Sequence, residues 1–340
     1  MPAELVLELT RRGVADYEAQ MEFRGPHREN VQTVRRPVRL DFDALSAADV
    51  DSQEYGTRLF DSLFSDSRLL DFYRQAMAMT QMEGENLPMR LVIGPNAPEL
   101  HQLSWERLFD PQQNTFLAMD QGLAFARYLY SSSWRAVERR SGAPRRALLA
   151  VANPDNLSDY GLIPIAAEPI KEMILSLQRR MTLKVLDGPV TLPGLLKEVS
   201  SGYDIFYLVC HGVVKSGQNL LFLQREDGLF APIAGKEFVE MMRDLARLPA
   251  LVVLGGSQTA GLAPMLGEIG VPGVLAMSGN VTISTLDHFS QAFLDELLEH
   301  GGVDRAAAVA RGVVRDRPDW WVPVLYTRLR DGYLWQKTTY

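Results

Sequence analysis

Two residues capable of catalysis follow two apolar segments of strand length. Residues 203–210 are mostly apolar and lead directly to His211, while residues 251–254 (Leu-Val-Val-Leu) lead through two glycines to Ser257. Short apolar runs bounded by small residues are typical of buried strands. Because the carboxyl ends of parallel strands border one crevice in an α/β sheet, where such folds bind and react, the sequence predicts that His211 and Ser257 lie close together.

A histidine beside a nucleophile is suited to covalent attack on a carbonyl group. In a cysteine–histidine pair the thiolate attacks, and the imidazole, with an unperturbed pKa of ~6.5, holds the proton and returns it to the leaving amine. Gly212 and Gly256 flank the two candidate residues, and we expect them to leave room for a substrate backbone. The backbone N–H groups around these glycines are candidate donors to the oxyanion.

The spacing and the flanking residues resemble one protease family. Ser257 lies 46 residues after His211, close to the roughly 50 residues by which the histidine precedes the cysteine in caspases. Residues 209–212 (Val-Cys-His-Gly), 256–260 (Gly-Ser-Gln-Thr-Ala) and 103–108 (Leu-Ser-Trp-Glu-Arg-Leu) are similar to motifs of the CHAT domain, a caspase-like branch of the clan that includes separases and gingipains. The resemblance implies a cysteine endopeptidase with a histidine–cysteine dyad.

By this resemblance His211 is the general base and acid, and position 257 carries the nucleophile. The family has cysteine where this chain has Ser257. A hydroxyl needs a strong, well-oriented base, whereas a thiol with a pKa of ~8.5 is partly ionised at neutral pH, so the site should react poorly as written. We favour an inactivating Cys-to-Ser substitution, because the rest of the site matches the family. The alternative is a natural pseudoprotease that binds a peptide or protein as an interaction module.

Cys210 is the only cysteine of the chain and therefore the rival nucleophile. Successive residues of a strand point to opposite faces, so Cys210 points into the sheet if His211 faces the crevice. The favoured interpretation is a core cysteine. A single cysteine also excludes an intrachain disulfide and fits a reducing compartment.

Three further residues are candidates for substrate binding. Asp155 and Asp159 follow the first strand of the β/α region, and Gln258 follows the nucleophile position. In clan relatives an acidic residue near the dyad selects a basic residue before the scissile bond. Asp155 and Asp159 are therefore candidates for the acidic wall of the pocket that would bind this basic residue. The alternative is that both are Asx-turn residues in a solvated loop.

Alternating strands and helices must position these residues. The pattern predicts an α/β fold in which a mostly parallel sheet is flanked by helices on both faces, as in caspases. The predicted strands are 147–152, 183–186, 203–210, 251–254, 273–277 and 324–329, and the predicted helices are 166–180, 192–200, 235–246, 285–300 and 303–314.

The chain is predicted to contain an extension and a protease domain. Residues 1–86 form the N-terminal β/α extension, with a hairpin that turns near Arg12 and helices at 53–64 and 66–82. The caspase-like domain covers residues 87–340 and divides after residue 142, where glycine and proline interrupt regular structure.

The acidic composition argues against two classes of binding partner. A net charge of −7 and a pI near 5.4 argue against nucleic acid and anionic membranes as partners. The sequence lacks a signal peptide and an apolar stretch of ~18 residues, which predicts a cytoplasmic protein. It also lacks the glycine motifs of nucleotide-binding loops and any metal-ligand spacing, so we expect no cofactor and no metal.

The resemblance also implies a biological setting. CHAT proteins of this type are prokaryotic regulatory proteases, so the expectation is cleavage of one or a few protein substrates in anti-phage defence or programmed cell death. Because CHAT domains are often fused to other modules, a separate activator or a fused sensor module is a further expected partner.

Overall fold

The structure is a computed structural model that describes residues 3–25, 31–129 and 145–335. The chain divides into two units, which are described one at a time. The domain boundaries predicted after residues 86 and 142 stay predictions, and the second lies outside the described residues. Unit 1 comprises Met1–Tyr128, Asp304–Gly312 and Arg330–Gly332, and unit 2 comprises Leu129–Val303, Val313–Leu329 and Tyr333–Tyr340.

Period-two alternation builds the sheet of unit 1. Leu5, Leu7 and Leu9 are fully buried on one face of the first strand, as alternation requires. The predicted hairpin is confirmed, since the Arg12 N–H donates to the Asp16 carbonyl oxygen. The strands are β1 (Glu4–Arg11), β2 (Asp16–Arg24), β3 (Val31–Arg39), β4 (Met89–Ile93), β5 (Phe109–Asp110), β6 (Thr115–Phe116) and β7 (Ala126–Tyr128).

In unit 1 the strand order is β3-β2-β1-β4-β7, with β5 and β6 paired separately. The hairpin strand β1 pairs in parallel with β4. Aspartates cap the helices: Asp41, Asp51 and Asp66 each accept a backbone N–H of the first turn, which satisfies donors that the helix itself leaves unpaired. The helices are α1 (Phe42–Ala47), α2 (Ser52–Leu63) and α3 (Ser67–Met82), of which α2 and α3 confirm the predicted pair.

The segment at residues 103–108 anchors the interior of unit 1. Trp105 is fully buried, and its indole N–H donates to the Leu100 carbonyl oxygen at 2.7 Å. Glu106 accepts two hydrogen bonds from the Arg127 guanidinium, at 3.0 Å from Nε and 2.6 Å from Nη2. Both side chains are buried, so each charge relies on the other in place of water.

This buried pair gives a stability prediction. Glu106→Leu should lower the free energy of unfolding by about 3–5 kcal/mol, because it leaves the Arg127 charge buried without its carboxylate. Urea denaturation monitored by circular dichroism measures the loss. The exposed pair of Glu54 and Arg58 is the control, and Glu54→Leu should cost less than about 1 kcal/mol. Equal losses in the two variants would contradict this assignment.

The sheet of unit 2 has the strand order β16-β15-β14-β10-β8-β9. Its neighbouring strands are parallel except β16, which runs antiparallel to β15. The strands are β8 (Arg145–Val151), β9 (Met181–Val185), β10 (Ile205–Val209), β11 (His211–Lys215), β12 (Gln218–Gln224), β13 (Phe230–Ala234), β14 (Leu251–Leu254), β15 (Gly273–Met277) and β16 (Pro323–Thr327).

Helices pack on this mostly parallel sheet, as predicted. Every residue of β10, β14 and β15 is buried, as expected for strands covered on both faces. The helices are α4 (Ala167–Ser176), α5 (Leu192–Val199), α6 (Gly235–Arg243), α7 (Ala263–Ile269) and α8 (Ile283–His300), followed by α9 (Val303–Val313), of which Asp304–Gly312 belong to unit 1.

His211 opens a strand instead of lying in a loop. The strand β10 ends at Val209, and His211 begins β11, the first strand of a separate antiparallel sheet with the order β11-β12-β13. Ser216 and Gly217 turn this hairpin, both with positive φ, as two-residue hairpin turns require. His211 pairs with Phe222 of β12, so a hydrogen-bonded ladder fixes its backbone.

Candidate active site

The two turns predicted to meet are in backbone contact within unit 2. A Cβ atom on Gly256 would lie 2.2 Å from the carbonyl oxygen of Cys210, and one on Gly212 would lie 2.6 Å from that of Ser257. Both distances are too short for any side chain, so the approach requires glycine at both positions. The other turn thus occupies the space that we expected a substrate backbone to use there. The predicted role of Gly212 and Gly256 as oxyanion donors stays a prediction.

A backbone carbonyl orients the imidazole of His211. The ring Nε2 lies 2.9 Å from the carbonyl oxygen of Ile163. A carbonyl only accepts hydrogen bonds, so Nε2 carries the hydrogen and Nδ1 is the basic nitrogen of the neutral ring. Residue types carry no signal for this contact, because it uses the main chain of Ile163 and any residue type supplies a carbonyl.

Residues 153–165, here called the covering segment, hold that carbonyl in place. Asn153 joins the two ends of the segment, because its side-chain amide donates to the Ile165 carbonyl oxygen at 3.2 Å and accepts the Ile165 N–H at 3.0 Å. In the middle, Asn156 Oδ1 accepts the N–H of Phe230 at 2.8 Å. The Tyr160 ring stacks on the Phe230 ring at 4.1 Å. The covering segment is thus joined to the small sheet that contains His211.

Ser257 lies in a turn that is held by the buried Thr259 side chain and contacted by the N–H of Val281. Its side-chain oxygen accepts a long hydrogen bond from the N–H of Val281, at 3.4 Å. The buried hydroxyl of Thr259 donates to the Gly256 carbonyl oxygen at 2.8 Å and accepts the N–H of Met277 at 3.0 Å. These bonds tie the Ser257 turn to the end of β15.

Gln258 connects the two turns. Its φ of 58° is in the left-handed region, which is strained for a residue with a side chain. Its Oε1 accepts the N–H of Val214 at 3.0 Å, and its carbonyl oxygen accepts Nδ2 of Asn219 at 2.9 Å. The side-chain oxygen is therefore engaged by β11. A contact of Gln258 with substrate stays a prediction.

Asp155 and Asp159 both lie in the covering segment and are exposed. The N–H of Asp155 donates to the carbonyl oxygen of Gly228 in the turn between β12 and β13, at 3.2 Å. The N–H of Asp159 donates to the carbonyl oxygen of Asn156 at 3.2 Å. The structure places both on the segment that contacts His211, and their role in selecting substrate stays a prediction.

Cys210 faces the interior of unit 2. Its side chain belongs to the hydrophobic cluster that includes Leu208, Leu221 and Val252, and burial raises the pKa of its thiol to about 12. A thiol with this pKa carries almost no thiolate at neutral pH. This favours the core interpretation of Cys210 over its role as a nucleophile.

Two kinds of feature are absent from the described residues, a metal-binding cluster and a membrane-spanning helix. Residues 3–25, 31–129 and 145–335 contain no cluster of three or more histidine, cysteine or acidic side chains that could hold a metal ion. In the same ranges, no helix combines the length and apolar character needed to cross a bilayer.

Comparison with known proteins identifies the family. The CHAT domain family matches residues 53–331, which is most of the chain, and this protein belongs to the CHAT domain family. Its fold is α/β, and in unit 2 helices flank a mostly parallel sheet. No match was found among curated protein sequences.

Two solved structures of the Saccharomyces cerevisiae separase–securin complex are similar to this chain. The complex at 2.6 Å resolution shows 16% identity over 71% of this chain, with a TM-score of 0.42. The complex at 3.0 Å shows 18% identity over 71%, with a TM-score of 0.39. The matched regions cover 16% and 15% of those chains, so this protein corresponds to a small part of their length.

The glycine contact gives a prediction with opposite signs at two positions. Gly256→Ala should lower the free energy of unfolding by about 1–3 kcal/mol or more, because the new methyl group would overlap the Cys210 carbonyl oxygen. Gly312→Ala lies in α9, where a Cβ atom has open space, and should stabilise by roughly 0.5–1 kcal/mol through helix propensity. Thermal melts of both variants measure the difference. A neutral Gly256→Ala would show that the turns do not touch.

The burial of Cys210 also has a measurable consequence. In the folded chain at pH 8, a thiol reagent such as Ellman's reagent should react with Cys210 at least 100-fold more slowly than in guanidinium chloride, because the thiol is buried and protonated. Absorbance at 412 nm follows the reaction. Fast labelling in the folded state would contradict the core position.

Proposed function

We propose that this protein is a caspase-like cysteine endopeptidase, present here in a form in which Ser257 replaces the nucleophilic cysteine. The observation that carries the proposal is the backbone contact between the His211 and Ser257 turns, combined with the fixed orientation of the His211 ring by Ile163. A basic nitrogen held at a turn that touches the nucleophile position is what acyl transfer needs.

The surroundings of position 257 fit a cysteine sulfur better than the oxygen of Ser257. The 3.4 Å between Val281 N and Ser257 Oγ is long for an N–H···O bond, for which 2.9–3.0 Å is typical. A sulfur atom is larger and stands further from Cβ, so it would fill this gap. This supports the interpretation that the turn is shaped for cysteine and that Ser257 is a substitution.

The reaction proceeds through an acyl-enzyme in this proposal. His211 Nδ1 takes the thiol proton, and the resulting thiolate at position 257 attacks the scissile carbonyl carbon as the carbonyl π electrons move to oxygen. The His211 imidazolium then gives its Nδ1 proton to the departing amine as the C–N bond breaks. Water, deprotonated by the same nitrogen, attacks the thioester, and the C–S bond breaks to release the acid and regenerate the thiolate.

The covering segment supports cleavage of one or a few protein partners over general digestion. It contacts His211 through Ile163 and is fastened by Asn153 and Phe230, so a substrate must fit beside it. The biological role in this proposal is regulatory cleavage in the bacterial cytoplasm, during anti-phage defence or programmed cell death. An activator, separate or fused, would act by moving the covering segment.

The serine at position 257 also fits an alternative function, that of a natural pseudoprotease. Ser257 is present in the chain, and if serine is the natural residue, the crevice belongs to a pseudoprotease that binds a peptide or protein. The residue encoded at position 257 in the unmodified gene separates the two: cysteine supports the protease, and serine supports the binding module.

The proposal predicts activity in Ser257→Cys. This variant, incubated with lysate of the source cell, should generate new peptide termini that the Ser257 chain does not generate. Adding His211→Ala should slow the appearance of each terminus by about 10²–10⁴-fold, because the general acid–base group is lost. Mass spectrometry of labelled N-termini measures both effects.

The control for His211→Ala is His300→Ala, which removes a half-exposed histidine at the far end of α8. It should leave cleavage by Ser257→Cys unchanged. Cleavage that persists in the His211→Ala variant would overturn the dyad. Co-purification of a partner with the Ser257 chain, without cleavage by Ser257→Cys, would favour the binding module.

A further inference from the structure

Residues 279–282, here called the donor turn, lie against the candidate nucleophile. The turn joins β15 to α8 and has the sequence Gly-Asn-Val-Thr. Its Val281 N–H points at Ser257 Oγ at 3.4 Å, and its Gly279 carbonyl oxygen accepts the N–H of Gln258 at 3.1 Å. The donor turn therefore contacts both the side chain at position 257 and the backbone that follows it.

One buried carboxylate holds the donor turn. Asp319 is 8% exposed, and its Oδ2 accepts the N–H of Thr282 at 2.7 Å. Its Oδ1 accepts the hydroxyl of Thr285 at 2.5 Å. Thr282 is also the N-cap of α8, with its Oγ1 accepting the N–H of Thr285. Asp319 thus fixes the residue next to Val281 and the first turn of the helix together.

We propose that Asp319 is a positioning residue that aims the Val281 N–H at the nucleophile, so that this donor stabilises negative charge on the atom at position 257. This inference rests on the proposed function and extends it with an element that activates the nucleophile. The N-terminal end of the 18-residue helix α8 adds positive potential on the same side. Cysteines at helix N-termini have lowered pKa values, and a hydrogen bond donated to the thiolate favours the charged form.

Other charged groups adjoin this region and enter the design of the test. His211 opens β11 next to Gly212, whose backbone approaches the Ser257 carbonyl oxygen. Arg317 donates to the Ser284 side chain in the first turn of α8 at 2.9 Å, and His288 contacts the Ser284 carbonyl oxygen. That first turn has no acidic residue. Variants that leave these groups in place isolate the effect of Asp319.

The test measures the thiol directly. In Ser257→Cys, the rate of alkylation by iodoacetamide against pH gives the pKa of the introduced thiol, and the unmodified chain supplies the background from Cys210. Adding Asp319→Ala should raise this pKa by about one unit, a roughly tenfold loss of thiolate at neutral pH, since a hydrogen bond to a charged group is weakened.

Asp319→Asn is the conservative variant. Its amide can still accept the Thr282 N–H and donate to Thr285, and it removes a negative charge that opposes the thiolate, so the thiol pKa of Ser257→Cys should stay at or below its value with Asp319. Thr285→Val, which removes one of the two Asp319 contacts, should give an intermediate shift and serves if Asp319→Ala does not fold. Ser290→Ala, which removes a buried hydrogen bond to Tyr207 elsewhere on α8, should lower stability without moving the thiol pKa.

The outcomes separate this inference from the proposed function. A raised thiol pKa in Asp319→Ala or Thr285→Val, but not in Asp319→Asn or Ser290→Ala, supports the positioning role even if no substrate is cleaved. An unchanged thiol pKa in both disruptive variants, or an equal shift in Ser290→Ala, overturns it even if Ser257→Cys proves to be a protease. Repeating the series with His211→Ala removes the contribution of the imidazole.

Discussion

The site depends on the backbone contact between two turns that belong to different sheets. Gly212 and Gly256 allow the carbonyl oxygens of Ser257 and Cys210 to lie where a side chain would otherwise be. The contact sets the distance between the small antiparallel sheet, which provides His211, and the parallel sheet, which provides position 257. Close packing of backbone against backbone leaves little freedom, so the approach of these two segments follows from the fold before any side chain is considered.

Around this contact, main-chain groups contact the side chains of His211 and Ser257. The Ile163 carbonyl selects the imidazole tautomer of His211, and the Val281 N–H faces the nucleophile position. Each of these groups is held by a side chain some distance from the reaction, Asn153 in one case and Asp319 in the other. In the proposed protease, such preorganisation would place donors and acceptors before substrate arrives, so that little reorganisation is needed during the reaction.

The sequence predicted strands and helices well where burial imposes a clear pattern, as in β10, β14 and β15, which are apolar throughout. It missed β3, an edge strand whose residues are mostly exposed and carry a proline, because the hydrophobic alternation is lost there. The juxtaposition of the His211 and Ser257 turns followed from parallel-sheet topology. Contacts made by main-chain atoms, such as that of Ile163, leave no trace in residue type and required the structure.

The most direct test of the central claim is covalent labelling of Ser257→Cys with a set of peptidyl acyloxymethyl ketones that differ in the residue before the reactive group. These reagents alkylate a cysteine that a catalytic site positions and activates. If His211 activates the residue at position 257, we expect a single adduct on the introduced cysteine, located by peptide mapping, and its loss when His211→Ala is added. No adduct with any member of the set, or equal labelling without His211, would contradict the account.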